Sequence, residues 1–373
     1  MKIITGFVIS LAALFFSLIV AEVAIRKIAP AENTDLHGVN NLASKEIFAR
    51  YTAEEKDSSL PLFTAAQGGE VVTIKNNGTA WYAKGDWYHP YYGYRTIYVD
   101  QGHAKEHLHS GELSVVFIGG STMGNLYTPN HLTTIDSAFH NAMKGFREVH
   151  SLNVAEVGAR STNELIRFML EVIPLQPEVV VFLDGYNEFT PLGYGKDAES
   201  NYHWITVDAR VNAPLYFLRD RFIEKSALLT TALWKTGFLE SSQRTTKKIE
   251  HQDILRAANR YIENTKFIHQ LCEANNITCL SFLQPTVLTK EHVSKNEQIS
   301  IENWLLHQPQ FKEILQIGYD HILKNSPDTI DLSNSIGGTT ETIYFDWPHV
   351  GKTGNARIGA AMAAAVKQTL SRR

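Results

Sequence analysis

The chain predicts an α/β fold in which a parallel sheet is covered by helices on both faces, and three observations carry this reading. Four short runs, LSVVFIG (113–119), HSLNVAEV (150–157), EVVVFLDG (178–185) and NITCLSFLQP (276–285), read as strands, and the unbroken Val115–Ile118 in the first is the pattern of a strand buried on both faces. Segments with apolar residues at helical spacing lie between and after these runs. With 373 residues, 44% of them hydrophobic, the chain can also bury a sizeable core.

The helical segments are read from their apolar stripes: Leu132, Ile135, Phe139 and Met143; Leu165, Ile166, Met169 and Ile173; Ile254, Ala258, Ile262 and Leu271; Ile314, Leu315, Ile322 and Leu323. A last, alanine-rich segment from Thr353 to Leu370 places Ile358, Met362, Val366 and Leu370 on one face. Strands alternating with helices in this way build parallel sheets, whose ligands gather at the carboxyl ends of the strands. Small-residue breaks fall at those ends: Ser121 after the first strand, Gly158 after the second, and Gly185-Tyr186-Asn187-Glu188 after the third.

Outside this region, residues 1–28 contain IITGFVISLAALFFSLIVA (3–21), a charge-free run long enough to cross a bilayer as a helix. We read it as a signal-anchor; a cleaved secretory signal ending near Ala21 or Ala24 is the competing reading, and both place the body of the protein outside the cytoplasm. Residues 29–110 form a polar linker and an aromatic-rich extension, Trp81 to Tyr98, either a sugar-stacking surface or a strand or loop packed on a core. Residues 111–373 form the main domain, interrupted at about 191–251 by an insertion that could cover the strand ends.

The net charge of −4 offers no general attraction to nucleic acid, so no nucleic-acid partner is expected. Cys272 and Cys279 are too few for a disulfide framework; they either form one bridge between a helix end and the next strand or remain two buried thiols. Asn77-Gly78-Thr79 and Asn276-Ile277-Thr278 match the glycosylation pattern, which matters only in a eukaryotic secretory route. His103, Glu106, His107 and His109 in QGHAKEHLHSG could suit a metal, but the stretch lacks apolar periodicity and reads as a solvated loop. No metal or cofactor is called for.

The stretch SVVFIGGSTMG raises the chemical question, because Ser121 is either a helix cap after a strand or a nucleophile. A serine hydroxyl needs a base, and histidine held by a carboxylate is the usual one. Near the C-terminus, YFDWPHVGKTGNARIGAA sets Asp346 and His349 three apart around Trp347-Pro348, a tight turn in which the carboxylate can accept a hydrogen bond from Nδ1–H while Nε2 faces outward. Donors for an oxyanion are the Ser121 amide, the Gly158 amide and the Asn187 side chain.

These blocks resemble the SGNH (GDSL-type) hydrolase family: Gly119-Gly120-Ser121-Thr122, Gly158 in NVAEVGARST, Gly185-Tyr186-Asn187-Glu188, and Asp346-Trp347-Pro348-His349, over about residues 112–370. The resemblance implies a flavodoxin-like three-layer α/β/α sandwich, and ester hydrolysis or acyl transfer. Ser121 would be the nucleophile, His349 the base and then the acid, and Asp346 its orienter, with Ser121, Gly158 and Asn187 as the oxyanion hole. SFLQPTV and the anchored, aromatic-rich front resemble the membrane-anchored extracytoplasmic branch. The anchor and the aromatic segment favour an acetylated envelope glycan as ester substrate, with a lipid or a thioester as the alternatives. Two positions depart from the family pattern: Gly120 stands where an aspartate is usual, and so does Glu188. Neither carries the proton, so the departures bear on pocket shape. An O-acyltransferase passing the acyl group to a polysaccharide hydroxyl would need the same triad. A silent carbohydrate-binding scaffold would have lost part of it.

Overall fold

In the computed structural model the described residues are 101–124, 133–156, 158–195, 197–198, 249–333, 335–344 and 346–372, with Ser17 and the backbone of four strands between 72 and 97. The chain divides into two compact units, residues 1–40 with 203–247, and residues 41–202 with 248–373. The first falls, Ser17 apart, outside the described residues; so do the 3–21 run and most of the 191–251 segment. No helix among the described residues is long and apolar enough to cross a membrane.

The second unit is built on one sheet. Strands β5 (Leu113–Gly119), β6 (Val149–Asn153), β7 (Val179–Asp184), β8 (Thr278–Leu283) and β9 (Thr329–Asp331) run parallel in the order β6-β5-β7-β8-β9. This is the 2-1-3-4-5 order of flavodoxin-like sheets, whose switch point lies beside the first strand. Two strands from the extension continue the sheet past β6: β2 (Thr79–Ala83) pairs parallel with β6, and β1 (Val72–Asn76) pairs antiparallel with β2. The aromatic-rich segment therefore contributes β2 to the sheet, and its remainder includes a separate hairpin, β3 (Asp86–Tyr88) with β4 (Arg95–Ile97).

β5 and β7 are buried along their whole lengths, as a continuous apolar run requires. Their side chains divide between two cores. Val115, Phe117, Val181 and Leu183 pack on one face with α2 (Ile135–Met143), α7 (Phe311–Asn325) and α8 (Lys352–Leu370). Val116, Ile118, Val180 and Phe182 pack on the other with α1 (Gln101–Leu108) and the segment after α3 (Ser161–Arg167). The long α5 (His251–Ala274) contributes to both, and its end is bridged to β8 by Cys272–Cys279. The remaining helices are α4 (Tyr186–Gly193) and α6 (Lys295–His307).

Two readings of the sequence need correction. QGHAKEHL is a helix, not a solvated loop: Ala104 and Leu108, four apart, are its fully buried contacts, too few to register as a stripe. Among the described residues no group of histidines, cysteines and acids could hold a metal. The stripe Leu165–Ile166–Met169–Ile173 is also off phase, because α3 passes into a π-turn (Phe168–Val172) and a short 3₁₀ turn; Phe168 and Val172 face the core while Met169 is 40% exposed.

Candidate active site

The site lies at the carboxyl end of β5, between the ends of β6 and β7. The β5 run ends at Gly119, and the chain turns at once so that Ser121 stands clear of the strand. Thr122 and Met123 fold inward and are buried, while Gly124 N–H returns to the Gly120 carbonyl at 3.0 Å. The Asn153 side chain, at the end of β6, donates to the Met123 carbonyl at 2.9 Å and accepts from the Ala155 amide at 3.1 Å. The serine turn is thus tied to the neighbouring strand on one side.

The Asp346–His349 turn comes from far along the chain. One Asp346 carboxylate oxygen accepts from the His349 backbone N–H, three residues on, at 2.9 Å, and so closes the turn. The same carboxylate lies 2.7 and 2.8 Å from His349 Nδ1. His349 Nε2 lies 2.6 Å from Ser121 Oγ, across 228 positions of sequence. A carboxylate accepts only, so Nδ1 carries the proton and Nε2 presents its lone pair to the serine O–H. The histidine and aspartate side chains are 11% and 13% exposed and Ser121 is 8% exposed, so the chain of three groups is largely shielded from solvent.

Packing holds this turn against the sheet. Trp347 is fully buried and stacks on Phe311 with ring centroids 4.9 Å apart, and its carbonyl accepts from the Val287 amide at 2.8 Å. A polar chain joins the two halves of the site: Gln284 Nε2 donates to Thr122 Oγ1 at 3.3 Å, and Thr122 Oγ1 donates to the Pro348 carbonyl at 3.1 Å. Gln284, at the end of β8, did not stand out in the sequence except within SFLQPTV; a lone polar residue closing an apolar strand was its signal.

The third side of the site comes from the ends of β6 and β7. Gly158 has φ +76°, a conformation that only glycine adopts readily. Next to it, the Ala159 carbonyl accepts from Asn187 Nδ2 at 2.9 Å. A carboxamide has two N–H bonds, so one remains after the Ala159 contact. A Cβ built on Gly120 would lie 2.5 Å from Asn187 Nδ2 and 3.6 Å from the Ala159 carbonyl oxygen. The Asn187 amide and the Ala159 carbonyl therefore lie beside Gly120, and the departure from aspartate at this position has a steric reason: the Asn187 amide fills the space that a side chain there would need.

The second departure has its own partners. Glu188 is fully buried; one oxygen accepts from the Ser161 amide at the start of α3 at 2.5 Å, and the other lies 3.6 Å from Arg260 Nε. Behind it sits a pair of acids, Glu164 on α3 and Asp184 at the end of β7. Among the described residues neither Glu164 carboxyl oxygen has a hydrogen-bond partner. Burial, reinforced by the Asp184 and Glu188 charges, pushes Glu164 well above the usual carboxylate range, and burial raises Asp184 to about 6 although the Tyr261 hydroxyl donates to it at 2.8 Å.

No protein-family profile matches the chain, and no curated protein matches it. Among solved structures, an acetyl xylan esterase is 14% identical with a TM-score of 0.37, covering 68% of this chain and 98% of its own. A lipase/acylhydrolase from Enterococcus faecalis is 15% identical with a TM-score of 0.38, over 68% and 95%. A GDSL-like lipase from Bacteroides thetaiotaomicron VPI-5482 is 12% identical with a TM-score of 0.34, over 69% and 88%.

Proposed function

We propose that the protein is a serine ester hydrolase of the SGNH type. The observation that carries this is the unbroken contact chain Ser121 Oγ–His349 Nε2–Nδ1–Asp346, with distances of 2.6 and 2.7 Å. His349 takes the Ser121 proton as the hydroxyl oxygen attacks the ester carbonyl, and Asp346 stabilises the imidazolium that forms. The oxyanion is met by the Ser121 and Gly158 amides and the Asn187 carboxamide. Collapse passes the proton from His349 to the departing alcohol and leaves an acyl-serine. Water, deprotonated by the same histidine, then releases the acid.

The body of the enzyme works outside the cytoplasm, tethered by its N-terminal helix. The Cys272–Cys279 bridge supports an oxidising compartment. The apolar 3–21 run supports the tether. An acylated envelope glycan, with acetyl as the acyl group, is the substrate we favour, on the strength of the tether and the aromatic density between Trp81 and Tyr98.

The test is p-nitrophenyl acetate turnover and fluorophosphonate labelling, comparing wild type with Ser121→Ala. The variant should lose labelling entirely and turnover by several powers of ten. Equal behaviour of two folded proteins would reduce Ser121 to a turn residue. Glycan acceptors added to the acyl-enzyme then separate water from a sugar hydroxyl as the second substrate.

A further inference from the structure

We propose that Glu297 is a positioning residue for the Ser121–His349 contact, its buried carboxylate holding the base of the loop that carries Asp346 and His349. The inference rests on the serine mechanism proposed above. Glu297 stands in the first turn of α6, in the sequence Ser294-Lys295-Asn296-Glu297. Its amide donates to Ser294 Oγ at 3.2 Å and its Oε2 accepts from the Ser294 amide at 2.7 Å, a reciprocal capping box.

A helix cap accounts for one oxygen and needs no burial, yet the Glu297 side chain is fully buried. Oε2 also accepts from Lys290 Nζ at 2.6 Å, and that ammonium donates again to the Glu341 carbonyl at 2.6 Å. Oε1 accepts from two consecutive backbone amides, Ile343 at 2.9 Å and Tyr344 at 3.1 Å. These residues close the catalytic loop: the Ile343 carbonyl accepts from Gly351 N–H at 2.9 Å, and Tyr344 bridges to Val350. Asp346 and His349 lie inside the loop so closed.

The contacts between Asp346 and His349 are internal to the loop and do not pass through Glu297. The 2.6 Å approach of His349 Nε2 to Ser121 Oγ does depend on where the whole loop sits. Removing the carboxylate should therefore leave the Asp346–His349 pair intact and displace it from the serine. A shift near 1 Å is worth on the order of 10²-fold in rate.

The experiment measures fluorophosphonate labelling of the full chain, recording both the saturating rate constant and the final fraction labelled. Glu297→Ala should lower the rate constant about 10- to 100-fold, with labelling still running to completion and the half-saturation concentration unchanged. In Glu297→Gln combined with Lys290→Met, the amide keeps an oxygen for Ile343 and Tyr344 and no ammonium faces its nitrogen, while the Ser294 amide and the Glu341 carbonyl lose their partners. Its rate should lie clearly above that of Glu297→Ala. A Glu297→Ala protein that labels at the wild-type rate overturns the proposal, even if its final fraction is reduced, since that pattern belongs to folding alone. Equal rate losses in the alanine and the Gln/Met variants overturn it too. Wild type that fails to label at Ser121 removes the serine mechanism and this proposal together.

Discussion

Replacing Gly120 by alanine should disable the site while leaving the fold almost untouched. Gly120 does not need the left-handed conformation, so a methyl group is tolerated by the backbone. The new Cβ would lie 2.5 Å from Asn187 Nδ2, where carbon contacts begin near ~3.5 Å, so the amide must retreat by about 1 Å. The next neighbour, the Ala159 carbonyl, is 3.6 Å away, an ordinary contact. Only the end of one flexible side chain has to move. Losing the Asn187–Ala159 bond, worth about 1 kcal/mol, is offset by the ~0.4–1 kcal/mol gained when glycine is replaced at a compatible position. The activity is another matter, because a lost oxyanion donor lowers kcat by about 10²–10³. Steady-state kinetics on Gly120→Ala, Asn187→Ala and the double variant, with thermal melts beside them, test the argument. Each single variant should fall by that factor with little change in melting temperature, and the double should be no worse than either, since both act on one donor. Full activity in Gly120→Ala, or losses that multiply in the double, would refute it.

Two further outcomes follow from buried groups. The carboxyls of Glu164 and Asp184 have folded values above their unfolded ones, so the stability they contribute is full below about pH 4. It fades as pH rises, through about 6 for Asp184 and beyond for Glu164. Glu164→Gln cannot ionise, so its melting temperature should fall less than wild type's between pH 4 and 8; parallel curves would refute the raised Glu164 carboxyl. The Cys272–Cys279 bridge closes a short loop with a sequence separation of 7, and the double serine variant should lose about 2–3 kcal/mol, or roughly 5–10 °C of melting temperature. Its labelling rate should be unchanged, because Cys279 sits at the opposite end of β8 from Gln284; a slower rate would tie the bridge to the site.

The parts of the molecule legible from sequence are those in which one physical requirement dominates. Burial on both faces left β5 and β7 as unbroken apolar runs, and the expected ends, Leu113 to Gly119 and near Asp184, coincide with the strands. β9 was missed because it is three residues long with an exposed Ile330, which leaves no apolar run to read. β1 and β2 were hidden for another reason: they add to a sheet edge through backbone hydrogen bonds, to which composition is blind. At the site, the serine turn and the Asp-x-x-His turn were visible since each is local. What joins them was not. Gln284, Thr122, Trp347 and Glu297 act through partners dozens to hundreds of positions away, and only the SKNE cap around Glu297 left a local trace.

The 228-residue separation between Ser121 and His349 also sets a clock. At synthesis rates of roughly 5–20 residues per second, the histidine follows the serine out of the ribosome by about 10 to 45 seconds. α8, which follows the histidine, must then dock on α2, where Gly359 allows so close an approach that a Cβ would lie 2.4 Å from the Ile135 carbonyl oxygen. Throughout that interval the serine is an ordinary alcohol. A serine mechanism assembled in this order is silent toward esters it meets during synthesis, and activity would report that α8 has found its seat.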